Sequence, residues 1–375
     1  MSSRTLSPSS SPPQFPLHRT EVRDSGALEE LRTPWTRLWE QCPGATPFQT
    51  PEWLLPALQV LGGRQLVALA FFSSEFQLVG LIPLLRHRSG CIPTVSVYQF
   101  LGSGVSDYLT GLATQEFQPA VRDGLLSWLA ERPSSVLDLQ QLPPNSFLRR
   151  DDDRPTLASW RGPHDPCPVL ALPGSVAELP GVLPAHLRKN LRYYRRRVRA
   201  LGEVALETAD GDTWPEFLEA LFRLHAARWR ARGQPGVFCL KRRRAFHRAA
   251  VPQLINGGLL RLHGLRVDGI LRGALYALVG HGRAFYYASG FDPALQRYSP
   301  GTLLVAHAME DAIRMGLREF DFLRGQERYK SHWGATPRWN ERRVIWNRGI
   351  GCGPAARAIV AAAQIENRLK VLCVR

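Results

Sequence analysis

At 375 residues, with 44% hydrophobic side chains and ten Trp, the chain is larger than a usual single domain and has material for two cores. Its six cysteines, Cys42, Cys91, Cys167, Cys239, Cys352 and Cys373, form no CxxC pair and have no His nearby at ligand spacing. This excludes a disulfide framework or structural zinc from the expectations and favours reduced thiols in a cytoplasmic protein. The net charge of +16 lies wholly in the second part: residues 1–165 hold 14 Lys/Arg and 16 Asp/Glu, and the remainder holds 34 and 16.

Residues 1–20 open with MSSRTLSPSSSPPQFP, Ser/Pro-rich and without an apolar core. They read as a disordered tail, neither signal peptide nor anchor. A helix is predicted over 28–41, where Leu28, Leu31, Trp35 and Leu38 recur three or four apart. Strands are predicted over 66–72, 78–85 and 95–101, then a helix over 117–129 and a strand over 136–142. The run 54–72 comes nearest to a membrane span but is broken by Gln59, Gly62, Gly63, Arg64 and Gln65. Residues 21–165 therefore read as one α/β module, and the acidic, Pro-rich stretch 149–168 reads as its boundary.

A second module is expected over 166–348. It opens with a helix over 184–201, whose Leu187, Leu191, Tyr194, Val198 and Leu201 make a stripe to be buried. The other faces carry Arg188, Lys189, Arg192, Arg195, Arg196, Arg197 and Arg199. Interleaved with Tyr193 and Tyr194, these cations suit either a solvated face or RNA. Helices over 214–232 and 243–255 follow, then strands over 259–267, 273–279 and 283–289 joined by short Gly turns. Residues 285–333 read as strand, loop, helix and strand (319–323), with polar residues massed beyond the last strand. Ser299 and Pro300 stand where that helix begins, with Ser as its cap, and Gly316 where it ends. A last strand is predicted over 343–346, and the Ala-rich tail 349–375 is read as ending in a short helix. The fold class is α/β (α+β), with two modules of mixed sheet flanked by helices.

The residues Tyr287-x-Ser289-Gly290, Ser299-Pro300-Gly301, Asp321-Phe322 and Gly325-x-Glu327-x-Tyr329-Lys330-x-x-Trp333 resemble the GNAT acyltransferase superfamily. The branch they resemble is the cellulose-biosynthesis-type CelD or BcsL proteins, related to the FemABX peptidyltransferases. A weaker echo lies in Thr46-Pro47-Phe48-Gln49-Thr50-Pro51-Glu52-Trp53. The resemblance implies two GNAT-like modules and an acyl-CoA donor, with acetyl-CoA first and no metal. In that superfamily a loop of form [QR]-x-x-G-x-[GA] cradles the pyrophosphate of coenzyme A. Here Gln296-Arg297-Tyr298-Ser299-Pro300-Gly301 keeps the first and last positions, and Pro300 removes one amide donor.

Acyl transfer needs a held donor, a deprotonated nucleophile and a stabilised oxyanion. The candidate catalytic residues are Glu327 as general base, Tyr329 as donor to the leaving group, Lys330, and Asp321. Lys330 is one of four lysines against 44 arginines, which marks a site wanting a compact ammonium. A carboxylate mid-strand, like Asp321, is either a base or a structural ion pair. Tyr287, Ser289, Gln296, Arg297, Ser299 and Gly301 are the candidate donor-binding residues. Asp107, Tyr108, Asp292 and Gly325 are candidates for the acceptor, which is expected between the modules.

The reading is thus an acyltransferase, by resemblance one that transfers acetyl, acting on an amine or hydroxyl of a sugar, polysaccharide or cell-envelope precursor. Two alternatives stand beside it: a FemABX-like transferase drawing on aminoacyl-tRNA, which suits the positive second half, and a non-catalytic basic scaffold in exopolysaccharide or RNA assembly.

Overall fold

The computed structural model describes residues 17–88, 94–151, 154–231, 233–325, 327–348 and 352–373. The predicted disordered tail lies outside these up to residue 16, as does Cys91. The strands are β1 (His18–Val22), β2 (Gln65–Phe72), β3 (Leu78–Arg88), β4 (Ser96–Phe100), β5 (Leu112–Ala113), β6 (Ser135–Leu142), β7 (Leu157–Ala171), β8 (Val204–Thr208), β9 (Leu260–Val267), β10 (Ile270–Gly280), β11 (Arg283–Phe291), β12 (Glu319–Asp321) and β13 (Thr336–Asn347). They form one sheet in the order β1-β2-β3-β4-β6-β13-β7-β12-β11-β10-β9-β8, with β5 on β3.

Among the described residues two pairs in this sheet are parallel, β4 with β6 and β11 with β12. Each closes a run of antiparallel strands, so the sheet reads as two matching halves that meet at β13 and β7. The halves are interlocked: β13 inserts between β6 and β7, and β7 pairs with both β13 and β12. The junction drawn at 165/166 falls inside β7, and β1 begins within the range read as tail.

Why a strand was not expected at β7 is clear from its prolines, Pro163, Pro166 and Pro168. Along 157–168 the strand is paired on one side only, by β13, because β12 reaches it only at Val169–Ala171. A proline lacks only a donor, and a strand with a free side tolerates that. The Pro168 and Pro166 carbonyls instead accept the Phe322 and Gly325 amides, at 2.8 and 3.1 Å. The proline run thereby holds the loop that leaves β12.

Other elements differ in detail. The helix expected over 28–41 is two, Ser25–Glu30 and Arg32–Glu40. Pro34 has no amide and is accommodated only in the first turn of a helix, so the second helix must start just before it. A helix Pro51–Leu61 was not anticipated, and the tail helix runs Cys352–Cys373. The predicted strand 319–323 stops at Asp321, because Leu323 takes a left-handed φ of 55°. Among the described residues no helix is long and apolar enough to cross a membrane.

One core joins the halves: Trp35, Phe48 and Trp53 pack with Phe217, Leu221 and Phe246 from helices Trp214–Arg230 and Lys241–Asn256. A second lies under helix Pro300–Arg314, where Leu304, Ala308 and Ala312 meet Leu275, Phe320 and Trp333. Of the predicted stripe, Leu187, Leu191 and Val198 are buried in helix Ala185–Val198, while Tyr194 and Leu201 are half-buried.

Candidate active site

The parallel pairing of β11 with β12 covers only Arg283–Phe285 against Glu319–Asp321. Beyond it β11 runs on to Phe291, held by β10 alone, while the other chain turns away through Leu323. A wedge opens between them. The β10 register shifts opposite Tyr287, which makes Tyr287 the extra residue of a bulge. Consecutive side chains Tyr286 and Tyr287 consequently both reach the wedge, where a regular strand would present one.

The wedge is the mouth of a cavity of about 630 Å³. Of the residues predicted from sequence, Tyr287, Ser289, Gln296, Ser299, Gly301, Asp107, Glu327, Tyr329 and Lys330 line it. Arg297, Tyr108, Asp292, Gly325 and Asp321 are not in its wall. Arg297 lies over the Tyr298 ring, and Asp292 pairs with Arg272 at 3.0 Å while its carboxylate accepts the Ala294 amide. Gly325, with φ 121°, sits behind Glu327: a Cβ there would come within 2.3 Å of the Glu327 carboxylate. Only glycine leaves that carboxylate where it is.

One wall is the start of helix Pro300–Arg314. Ser299 does not cap it with its side chain, as expected from sequence, because it sits in the left-handed region (φ 52°, ψ 51°). Its amide donates to the Gln296 carbonyl, and its carbonyl accepts the Thr302 amide. Pro300 has no N–H, so among the described residues the Gly301 amide is the free donor at this helix N-terminus.

The opposite wall is the loop after β12. Lys330 is 3% exposed, and its ammonium donates to the Leu323 and Arg324 carbonyls at 3.1 and 2.8 Å and pairs with Glu327 at 2.9 Å. All three of its donors are thus engaged. Leu323 is pinned from both sides, since its amide donates to Asp321 at 2.7 Å. The other Asp321 oxygen accepts the Tyr108 hydroxyl at 2.6 Å. The two non-glycine residues with left-handed backbone that line the cavity, Ser299 and Leu323, therefore face it from opposite walls. Tyr329 is half-buried, and burial pushes its hydroxyl well above the usual range, so it keeps its proton.

The first half of the chain closes the end of the cavity with the loop 102–108. Asp107 pairs with Arg324 at 2.6 Å and holds that guanidinium above its ordinary range. Tyr287 donates to the Val105 carbonyl at 3.0 Å. The upstream motif buttresses this loop: Gln49 donates to the Tyr108 carbonyl at 2.8 Å and Trp53 to the Ser106 hydroxyl at 2.9 Å. Among the cavity residues that sequence reasoning missed are His186, His225, Arg228, Arg243, Arg324 and His332. His225 is 3% exposed, and burial lowers its pKa to about 4, so it is neutral. Helix Trp214–Arg230 comes this close because Gly290 of β11 has no Cβ; one there would lie 2.2 Å from the His225 backbone nitrogen.

Burial lifts the Asp321 carboxyl from 3.8 to about 6. The fold therefore binds this proton more tightly than the unfolded chain does. The stability it contributes is fully present below about pH 4 and is lost as pH rises through 6. The difference in unfolding free energy between wild type and Asp321→Asn is expected to change by about 2 kcal/mol between pH 4 and pH 7. Urea titrations at each pH measure this; a constant difference would mean that Asp321 ionises as an ordinary carboxylate.

Comparison with known proteins bears on this geometry. Residues 185–331 match the family model described as "Acetyltransferase (GNAT) domain". Comparison with curated proteins returns no match. Among solved structures the chain is similar to FemX, with 11% identity and a TM-score of 0.58 over 87% of this chain and 96% of that one. It is also similar to the C-terminal domain of a putative lysylphosphatidylglycerol synthetase from Agrobacterium fabrum, with 13% identity and a TM-score of 0.56 over 89% and 95%. The L-PGS structure from Bacillus licheniformis matches with 11% identity and a TM-score of 0.55 over 92% and 97%. At these identities the likeness is one of fold. The split parallel pair and the helix start beside it both lie within the segment 185–331 that matches the GNAT acetyltransferase domain, and the chain as a whole has a fold that FemX also has.

Proposed function

We propose that the protein transfers an acyl group, acetyl from acetyl-CoA in the simplest case, to an amine or hydroxyl of a sugar, polysaccharide or cell-envelope precursor. The observation that carries this reading is the wedge between β11 and β12, with the free Gly301 amide at one wall and Glu327 and Tyr329 at the other. An extended donor arm pairs with the β11 edge that β12 leaves open, and its phosphates meet the Gly301 helix start. Glu327 takes the proton of the acceptor as its N or O attacks the thioester carbonyl. The new C–N or C–O bond forms, the C–S bond breaks, and Tyr329 protonates the departing thiolate. Asp321 and Lys330, singled out as catalytic by sequence, act here as positioning residues that hold the Leu323 loop.

Thermal denaturation tests the donor. Acetyl-CoA at 100 times its dissociation constant is expected to add about 2.7 kcal/mol of stability. The absence of any shift with acetyl-CoA and longer acyl-CoAs would sink the reading and favour a non-catalytic scaffold.

An aminoacyl-tRNA donor is the second reading, favoured by the amide that Pro300 removes and by the cationic helix Ala185–Val198, whose His186, Asn190 and Tyr194 reach the cavity wall. If it holds, tRNA binding weakens steeply with salt, and replacing Arg195, Arg196 and Arg197 by Gln flattens that slope. An unchanged slope in a filter-binding series would assign the helix a structural role.

A further inference from the structure

Four cationic side chains line the cavity, Arg228, Arg243, Arg324 and Lys330, against two carboxylates, Asp107 and Glu327. Both carboxylates are spent: Asp107 on Arg324 and Glu327 on Lys330. Among the described residues no carboxylate pairs with Arg228 or Arg243. Arg228 lies over the Phe291 ring at 4.7 Å and donates only to the Ser289 hydroxyl, at 3.3 Å, while its buried Nε has no hydrogen-bond partner. Among the described residues no side-chain partner holds Arg243.

The two arginines come from different helices but share one placement. Arg228 lies one turn beyond His225, and Arg243 one turn before His247. The two histidines clasp the same ring, Phe238, at 4.8 and 5.1 Å. The Nδ1 atoms of both are buried without partners, and His225 is itself in the cavity wall. Desolvating a guanidinium without a counter-charge is costly, and so is leaving a buried polar atom unpaired. Two half-buried cations on one cavity wall, without a carboxylate partner among the described residues, favour an anion beside them.

We infer that the acceptor carries an anionic group, a phosphate or a carboxylate, seated against Arg243. This rests on the acyl-transfer reading for the word acceptor, but not for the anion. Arg228 meets the far end of β11 at Ser289 and Phe291. Arg243 stands nearer the loop 102–108, where its charge acts on Tyr287 together with Asp107 and Arg324. The Phe291 ring under Arg228 also faces Gly301, where a Cβ would lie 3.5 Å from it, so Arg228 borders the helix start where the donor's phosphates belong, and Arg243 marks the side walled by the first half, where the acceptor's anion is held.

Calorimetric titration of the full chain with glucose 1-phosphate, glucuronate and glucose, without donor, tests the inference. The sugar phosphate or the sugar acid is expected to bind and neutral glucose not; which of the two binds distinguishes phosphate from carboxylate. Arg243→Gln is expected to weaken that binding roughly 10- to 100-fold, the worth of a charge-assisted hydrogen bond. Arg243→Lys is expected to recover part of it. Because Arg243 has no internal side-chain partner, the melting temperature without ligand should stay unchanged, which separates lost binding from lost fold. Equal binding of charged and neutral sugars, or an unaltered affinity in Arg243→Gln, would overturn the proposal. So would competition between the sugar anion and coenzyme A, which would put the anion in the donor's path. Sugar-anion binding with no acetyl-CoA binding would leave the anion site standing and remove the acyl-CoA reading instead.

Discussion

Glu327→Gln is expected to lower turnover by roughly 10²- to 10⁴-fold, the usual worth of general-base assistance. The change is nearly isosteric and its side chain is 56% exposed, so the fold should hardly notice it. Lys330 loses a charged partner but keeps the Leu323 and Arg324 carbonyls. The expected signature is a large fall in kcat with an unchanged melting temperature and an unchanged affinity for acetyl-CoA. A variant that keeps more than about a tenth of wild-type turnover would take Glu327 out of the proton transfer.

Lys330→Met is expected to fail differently. The methionine keeps the aliphatic stem but leaves two carbonyls of a buried loop without donors. Each unsatisfied buried group costs about 1–3 kcal/mol, so a loss of roughly 2–6 kcal/mol of stability is expected from urea denaturation. Leu323 is held left-handed by the Lys330 ammonium on its carbonyl and the Asp321 carboxylate on its amide. Removing one clamp should release that strain and loosen the wall that carries Glu327 and Tyr329. Activity should fall together with stability. A loss of activity at full stability would instead return Lys330 to direct stabilisation of the oxyanion or the donor.

The unit that builds the site was largely legible in the sequence, because its signals are local. Pro300 marks the start of the helix and Gly316 its end, and the residues from Glu327 to Lys330 mass beyond the strand as expected. What was not legible depends on contacts across the chain. Asp321 looked like a base or an ion pair, yet its partner is a tyrosine 213 residues away. β7 hid behind its prolines, which are harmless only because the strand has a free side in the finished sheet.

The charge asymmetry was visible, but not which arginines are spent. Arg266 answers Glu207 and Glu216, Arg261 answers Asp311, and Arg338 answers Glu319, whereas Arg228 and Arg243 answer no carboxylate among the described residues. Nothing in the local pattern separates these two from the rest. The one available hint was a histidine one helical turn from each, His225 and His247.

The central claim is that acyl groups pass from a coenzyme A thioester to an acceptor in the cavity between β11 and the Glu327 loop. Its most direct test is transfer of label from radioactive acetyl-CoA to an extracted pool of sugars, sugar phosphates and cell-envelope precursors, run in parallel with wild type and Glu327→Gln. The account predicts label in an anionic product with wild type and roughly 100-fold less or lower with the variant. No transfer with wild type, equal transfer with both proteins, or transfer only when aminoacyl-tRNA replaces acetyl-CoA would contradict it.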